Sequence, residues 1–191
     1  MLTFLLATNL QATLILNVIG TIESTDPLQT GRLLRNGIAS QWGANKPNPG
    51  LNDASIQRHY DEHVVNVLSF ASPIFYEIEL DSPNTSLFHL GYVGGFNPAA
   101  PSSNYYGDPG SSAATSICRV SLASGATPLT LVVHEVNRNG GVGTNYNLIV
   151  RAFSDDQRTD LPSSVPEPAT AALTGTALCA LAVAGRWWKR R

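Results

Sequence analysis

Ile74-Phe75-Tyr76-Glu77-Ile78-Glu79-Leu80 decides the fold class. Ile74, Tyr76, Ile78 and Leu80 fall on one side of an extended chain, and Glu77 and Glu79 on the other. Successive strand side chains point to opposite faces, so this period of two puts one face in a core and the other toward water. Outward from it, strand-like runs recur at His63–Phe70, Ser86–Val93, Ser116–Leu122, Leu129–Val136 and Tyr146–Phe153. Asn137-Arg138-Asn139-Gly140-Gly141-Val142-Gly143 reads as a hairpin-like connection between the last two runs. Asp26–Asp61 reads as polar and turn-rich, with Asn45-Lys46-Pro47-Asn48-Pro49-Gly50 as its loop core. Gly94–Gly110 reads as a long loop. No segment between Asp26 and Phe153 holds a long helical period. About seven or eight short strands at this spacing predict a mainly β chain, a jelly-roll-like β-sandwich over residues 13–153.

Composition agrees with a turn-rich β protein. Hydrophobic residues make up 43% of the chain, enough for a core. Charged residues make up 14%, well below the roughly 25% usual in soluble domains. The net charge of −2 gives no basic field, so nucleic acid is not an expected partner. Cys118 lies in a strand-like run and Cys179 in a C-terminal apolar run, so no disulfide between them is expected.

Residues 154–165 form a polar linker, and residues 166–191 change character completely. Pro166-Glu167-Pro168 is followed by the uncharged run Ala169–Gly185 and then by Arg186-Trp187-Trp188-Lys189-Arg190-Arg191. As a helix the run would span about 26 Å. A hydrocarbon core is about 30 Å thick, and the Trp pair extends the span, giving an expected transmembrane helix at 169–188. Arg186, Lys189, Arg190 and Arg191 suit the cytoplasmic side as a basic anchor. The two prolines stop the helix from running back into the linker and leave an extended, accessible segment. This three-part order resembles the PEP-CTERM sorting signal of bacterial exosortase substrates. The resemblance implies recognition at Pro166, Glu167 and Pro168, cleavage nearby, and transfer from the inner membrane to the cell surface or extracellular matrix. The partners it implies are an exosortase, the Sec translocon and exopolysaccharide. Export needs a leader, and Met1–Ala12 is apolar enough for a truncated signal segment, although it has no Lys or Arg. A first mature strand would then cover Thr13–Glu23.

Several phrases of the middle region also resemble a secreted module. They include Asp26-Pro27-Leu28-Gln29-Thr30-Gly31-Arg32, Arg58-His59-Tyr60-Asp61, Gly91-Tyr92-Val93-Gly94-Gly95-Phe96-Asn97-Pro98 and Asn104-Tyr105-Tyr106-Gly107-Asp108. They are similar to the bacterial pre-peptidase C-terminal and CUB-like sandwiches, over about Gly20–Phe153. The resemblance implies an accessory or binding role without a catalytic site. Where those modules carry cysteines, this chain has Trp42 and Asn48.

Candidate chemistry is sparse. His59 and His63 flank Asp61, but four residues of strand span about 13 Å, too far for one metal. An ion pair between Arg58 and Asp61 is the expected role of that segment. His134 and Glu135 are strand neighbours and face opposite sides, so neither can support the other without a second strand. No Gly-x-Ser-x-Gly elbow, phosphate loop, dinucleotide fingerprint or Cys-x-x-Cys is present. The chain is therefore read as non-enzymatic, with a cryptic hydrolase as the third reading and no cofactor assigned. Asp53, Asp61, Asp81 and Asp108 are loop-edge carboxylates that either cap turns or hold calcium weakly. Phe96, Asn97, Asn104, Tyr105, Tyr106 and Asp108 form a candidate ligand loop. Its aromatic rings either stack on sugars or fold inward over the end of the sandwich. The expected function is a structural or adhesive surface sandwich, with a carbohydrate- or calcium-binding accessory module as the alternative.

Overall fold

Alternation at residues 74–81 produces a central strand with one buried face. In the computed structural model, which describes residues 12–43, 46–65, 74–123 and 128–153, the strands are β1 (Thr13–Thr21), β2 (Leu28–Leu33), β3 (Leu51–Val65), β4 (Ile74–Asp81), β5 (Leu87–Val93), β6 (Tyr105–Gly107), β7 (Thr115–Leu122), β8 (Leu129–Glu135) and β9 (Asn145–Phe153). They form a four-stranded sheet in the order β1-β9-β4-β7 and a five-stranded sheet in the order β2-β3-β8-β5-β6. All neighbouring pairs are antiparallel. The expected signal segment up to Gln11, the linker at 154–165 and the sorting tail at 166–191 lie outside the described residues, as does Cys179.

The two sheets pack as a β-sandwich. Tyr76, Ile78 and Leu80 of β4 stand beside Val120, Cys118 and Ser116 of β7, and beside Ala152, Val150 and Leu148 of β9. Val65, Leu87, Leu129, Leu131 and Val133 meet them from the five-stranded sheet. A fully buried Leu or Ile contributes about 2 kcal/mol of hydrophobic stabilisation, so this layer is the main source of stability. The outer face of the five-stranded sheet is also apolar. Leu33, Tyr60, Phe88, Leu90, Tyr92, Val132 and Val136 line it, and Phe96 and Tyr105 pack over it.

The outer face of the four-stranded sheet is charged and partly covered. Glu77 is only 2% exposed and sits between Arg119 at 3.2 Å and Arg151 at 3.6 Å, with Arg151 also paired to Glu79. Trp42 covers one end of the row. Its ring lies 5.9 Å from Phe75 and 5.3 Å from Phe153, its Nε1–H donates to Tyr76 O at 2.9 Å, and Arg119 stacks on it at 5.2 Å.

Four expectations change. The long loop Gly94–Gly110 contains the short strand β6, which pairs with β5 at the sheet edge. The turn-rich region Asp26–Asp61 contains β2 and most of β3. Residues 53–57 of β3 are exposed on both faces, so they carry no alternation; residues 53–56 lie at the register shift with β2, bracketed by the pairs Arg32–Asn52 and Thr30–Gln57. The strand expected at His63–Phe70 closes β3 and ends at Val65, with 66–73 outside the described residues. Asn137–Gly143 is not a hairpin, because β8 and β9 belong to different sheets. The inward residues of β8 and β9 face each other across the core instead of lying side by side. The crossing is held by Gly143 N–H donating to Ile22 O at 2.7 Å and by Thr144 N–H donating to Gly141 O at 2.9 Å. Cys118 is free and buried in the core.

Two fully buried histidines follow from this packing. His89 points into the sandwich, with Nδ1 3.2 Å from Ser116 Oγ and Nε2 3.5 Å from Cys118 Sγ. His134 lies on the outer face of β8, with Nδ1 2.7 Å from Glu135 O and its ring edge-on to Phe88. Burial lowers the pKa of His89 to about 3 and of His134 to about 4. Both rings stay neutral in the folded chain over a range where the unfolded chain binds the proton. The stability this gives is fully present above about pH 6.5 and is lost as pH falls toward those values. Between about pH 7 and pH 5.5 the loss is on the order of 1 kcal/mol per histidine. Thermal melts across that range are expected to show a falling midpoint, and a flat profile would contradict neutral burial of the two rings.

Candidate functional site

The turn after β6 gathers more buried polar chemistry than any other part of the described chain. Asp108 is fully buried. Its Oδ1 accepts from Lys46 Nζ at 2.6 Å and from Gly110 N–H, and its Oδ2 accepts from the Tyr105 hydroxyl. The Lys46 side chain is 5% exposed. Burial, and then the neighbouring carboxylate, push the Tyr105 phenol pKa up, so the hydroxyl keeps its proton. The backbone fixes the group from the other side: Asp108 N–H donates to Ser40 Oγ at 3.0 Å, and Ser40 N–H donates to Asp108 O at 2.8 Å. Two glycines allow the approach. A Cβ on Gly107 would lie 2.7 Å from Val120 Cγ1, and one on Gly110, whose φ is +75°, would lie 2.5 Å from Ile38 backbone atoms.

The rest of the candidate ligand loop is tied inward. Phe96 packs against Tyr60 at 5.0 Å and Tyr92 at 4.8 Å. Asn97 accepts from Ala99 N–H at 3.0 Å, and Asn104, at φ 59°, donates to Gly95 O at 3.1 Å. The Tyr106 hydroxyl donates to Ser121 O. Phe96 and Tyr105 cover the outer face of the five-stranded sheet, Tyr106 packs against the core between the sheets, and the three rings do not form a platform in solvent. Of the six loop residues, the structure brings only Tyr105 and Asp108 into direct polar contact. Lys46, which completes their cluster, was not singled out in the sequence. The signal was there: Lys46 carries the sole charge between Arg35 and Asp53.

The other candidates separate. Arg58 pairs with Asp53 at 2.8 Å and donates to Val136 O at 3.0 Å, and does not pair with Asp61. Residues 58 and 61 face opposite sides of β3, whereas Asp53 sits at φ 50° beside the register shift of β2 and β3. Asp61 accepts from the Tyr146 hydroxyl at 2.6 Å, and His63 Nε2 lies 2.8 Å from that hydroxyl. His59 from the neighbouring strand meets Glu135: its N–H donates to Oε1 at 2.9 Å and its Nδ1 is 3.1 Å away. His134 faces the opposite side. Among the described residues, no group of three or more His, Cys, Asp or Glu could hold a metal ion, and Asp53, Asp61 and Asp108 each have a different partner.

A shallow open depression of about 570 Å³ lies at one end of the four-stranded sheet. Ile19, Asn147, Asp81 and Thr115 line it in a row, paired across all four strands. Ile19 is 83% exposed, and Asn147 Oδ1 has no hydrogen-bond partner. Sequence reading placed Asp81 at a turn and did not connect it to Asn147.

No protein-family model matches the chain, and no curated protein matches it either.

The fit around Asp108 sets a stability test. Gly110→Ala meets backbone and demands a left-handed residue, so it is expected to cost about 3 kcal/mol or more. Gly37 has a similar φ of +77° but open space around it, so Gly37→Ala should cost about 1 kcal/mol. Urea denaturation of both variants measures the difference, and equal costs would rule out the tight contact at Ile38.

Proposed function

We propose that this chain is an exported surface protein held temporarily in the inner membrane by residues 166–191, then processed by an exosortase. Its sandwich is a structural or adhesive unit placed at the cell surface or in an exopolysaccharide matrix. The observation that carries the sorting reading is the order Pro166-Glu167-Pro168, uncharged run Ala169–Gly185, basic terminus. The run suits a membrane helix at 169–188, and the cations suit its cytoplasmic end. No helix among the described residues is long and apolar enough to cross a membrane. Entry through the Sec translocon requires a leader, a role that the apolar segment Met1–Ala12 suits.

The sandwich is a jelly roll in this reading. The order β1-β9-β4-β7 against β3-β8-β5-β6 is that of two interleaved Greek keys, with β2 added at an edge. Such a unit presents loops and sheet faces to partners and needs no catalytic centre. A tagged protein with and without Pro166–Pro168 tests the sorting. The intact form is expected to lose its tail and reach the surface, and the deletion form to remain in the inner membrane. Identical sorting and processing of both forms would overturn the reading.

The depression at Asp81 favours a second reading, a carbohydrate contact. Asp81 and Asn147 bring a carboxylate and an amide beside the exposed apolar Ile19. This combination suits a sugar ring, which has hydroxyl edges and an apolar face. Asp81→Ala with Asn147→Ala is expected to weaken binding to the cell's own exopolysaccharide by about tenfold, the loss of two polar contacts of modest strength. Unchanged binding in a pull-down would sink this reading and leave the sorting proposal untouched.

A further inference from the structure

We propose that Lys46 and Asp108 condense into an intramolecular amide that ties the β2–β3 connection covalently to the turn after β6. The inference rests on the folded sandwich and is independent of how the tail is sorted.

The geometry is that of reacting groups already in place. Nζ stands 2.6 Å from Oδ1, which puts it beside the carboxyl carbon, Cγ. Both side chains are almost completely removed from water. Reacting atoms held at roughly 3–3.5 Å inside a site gain most of the entropy that a bimolecular step would lose. The backbone contacts to Ser40 and the absent Cβ atoms at Gly107 and Gly110 hold the carboxyl in this position.

In water the pair would not react, because an ammonium has no lone pair and a carboxylate resists attack. Here one proton passes from Nζ to the carboxyl oxygen it touches, which removes both charges at once. The lone pair of the neutral amine then attacks Cγ and forms the Nζ–Cγ bond. Charge develops on Oδ2, to which the Tyr105 hydroxyl already donates. The Cγ–Oδ1 bond breaks, and Oδ1, the oxygen that Nζ touches, leaves as water. Its two hydrogens are the proton from the first transfer and a second one from the attacking nitrogen, both passed directly across that contact. The balance is one ammonium and one carboxylate in, one amide and one water out. No oxidant, cofactor or activating group is needed.

The water loss has a clean assignment. The usual dehydration at aspartate closes onto the next backbone N–H, and Pro109 has none. The test is the intact mass of the purified, denatured full chain, with fragmentation of its peptides. Wild type is expected to be lighter than its sequence by one water, with a branched peptide joining Lys46 to Asp108. Lys46→Arg keeps the charge but not the amine and is expected at full sequence mass. Tyr105→Phe is expected to lose water more slowly after refolding, by about a hundredfold or more, the size of one donor to the developing oxyanion. Wild type at full mass, with the two peptides recovered separately, overturns the proposal. So does a water loss that persists in Lys46→Arg. The branched peptide in wild type decides the matter even if a variant fails to fold. A missing cross-link leaves sorting intact, and a failed tail deletion experiment leaves the cross-link intact.

Discussion

The five-stranded sheet has to bury both of its faces, and much of the irregular chain is arranged to meet that demand. Every residue of β8, and β5 from Leu87 to Tyr92, is buried. One face is covered by the four-stranded sheet. The other has no sheet to cover it, so loops do the work. Phe96 packs on Tyr60 and Tyr92, and the chain beyond it is pinned by Thr30 N–H donating to Pro98 O at 2.8 Å and the Tyr92 hydroxyl donating to Pro101 O at 3.1 Å. A loop held this way is part of the core. Its aromatic residues were attractive as sugar platforms in the sequence, and the two-faced sheet explains why they point inward.

Burial on both faces also governs the polar groups. An ionisable side chain under such a cover must be paired, hydrogen-bonded or neutral. Arg58 is paired with Asp53 and capped by Val136 O. His134 is neutral, with one nitrogen bonded and the other left without a partner. His89, between the sheets, is neutral for the same reason. Asp108 takes three donors from two chain segments. The outer face of the four-stranded sheet follows a looser rule, since its charges keep some contact with water. There Arg119, Glu77, Arg151 and Glu79 form a row that needs no further cover than Trp42.

This asymmetry marks the limit of what the sequence could tell. β4, β7 and β9 alternate because one face is dry and one is wet, and their periods were readable. β5 and β8 were found as apolar runs, which is how a strand buried on both sides looks. The first half of β3 could not be read, because pairing with β2 holds it and neither face is buried. The crossing from β8 to β9 looked like a hairpin because glycine-rich turns carry no information about which sheet the next strand joins. At the candidate site Tyr105 and Asp108 were legible as chemistry-bearing residues. Lys46 was not, because its meaning lies in a contact across the sandwich from a segment that reads only as loop.

That segment, between β2 and β3, is fixed by contacts with the rest of the sandwich. Ser40 is bonded through its backbone to Asp108 and Arg119, and three side chains add to this. Trp42 is fixed by aromatic packing, and Asn48 by hydrogen bonds to Ser102 O and Gly50 N–H at 3.0 and 2.8 Å. These are cheap, since neither places a charge in a dry environment. Lys46 is different. An ion pair removed from water gains from attraction but loses hydration on both partners, and the two nearly cancel. An ionic Lys46–Asp108 contact would therefore be a weak way to hold the loop. A neutral amide at the same place keeps the connection and the Tyr105 hydrogen bond, and it removes both desolvation penalties. It also closes a long loop, since the joined residues are 62 apart in the chain, and such closures lower the entropy of the unfolded state. Between Trp42 and Asn48 the chain carries one charge, this buried lysine, in contact with Asp108 Oδ1.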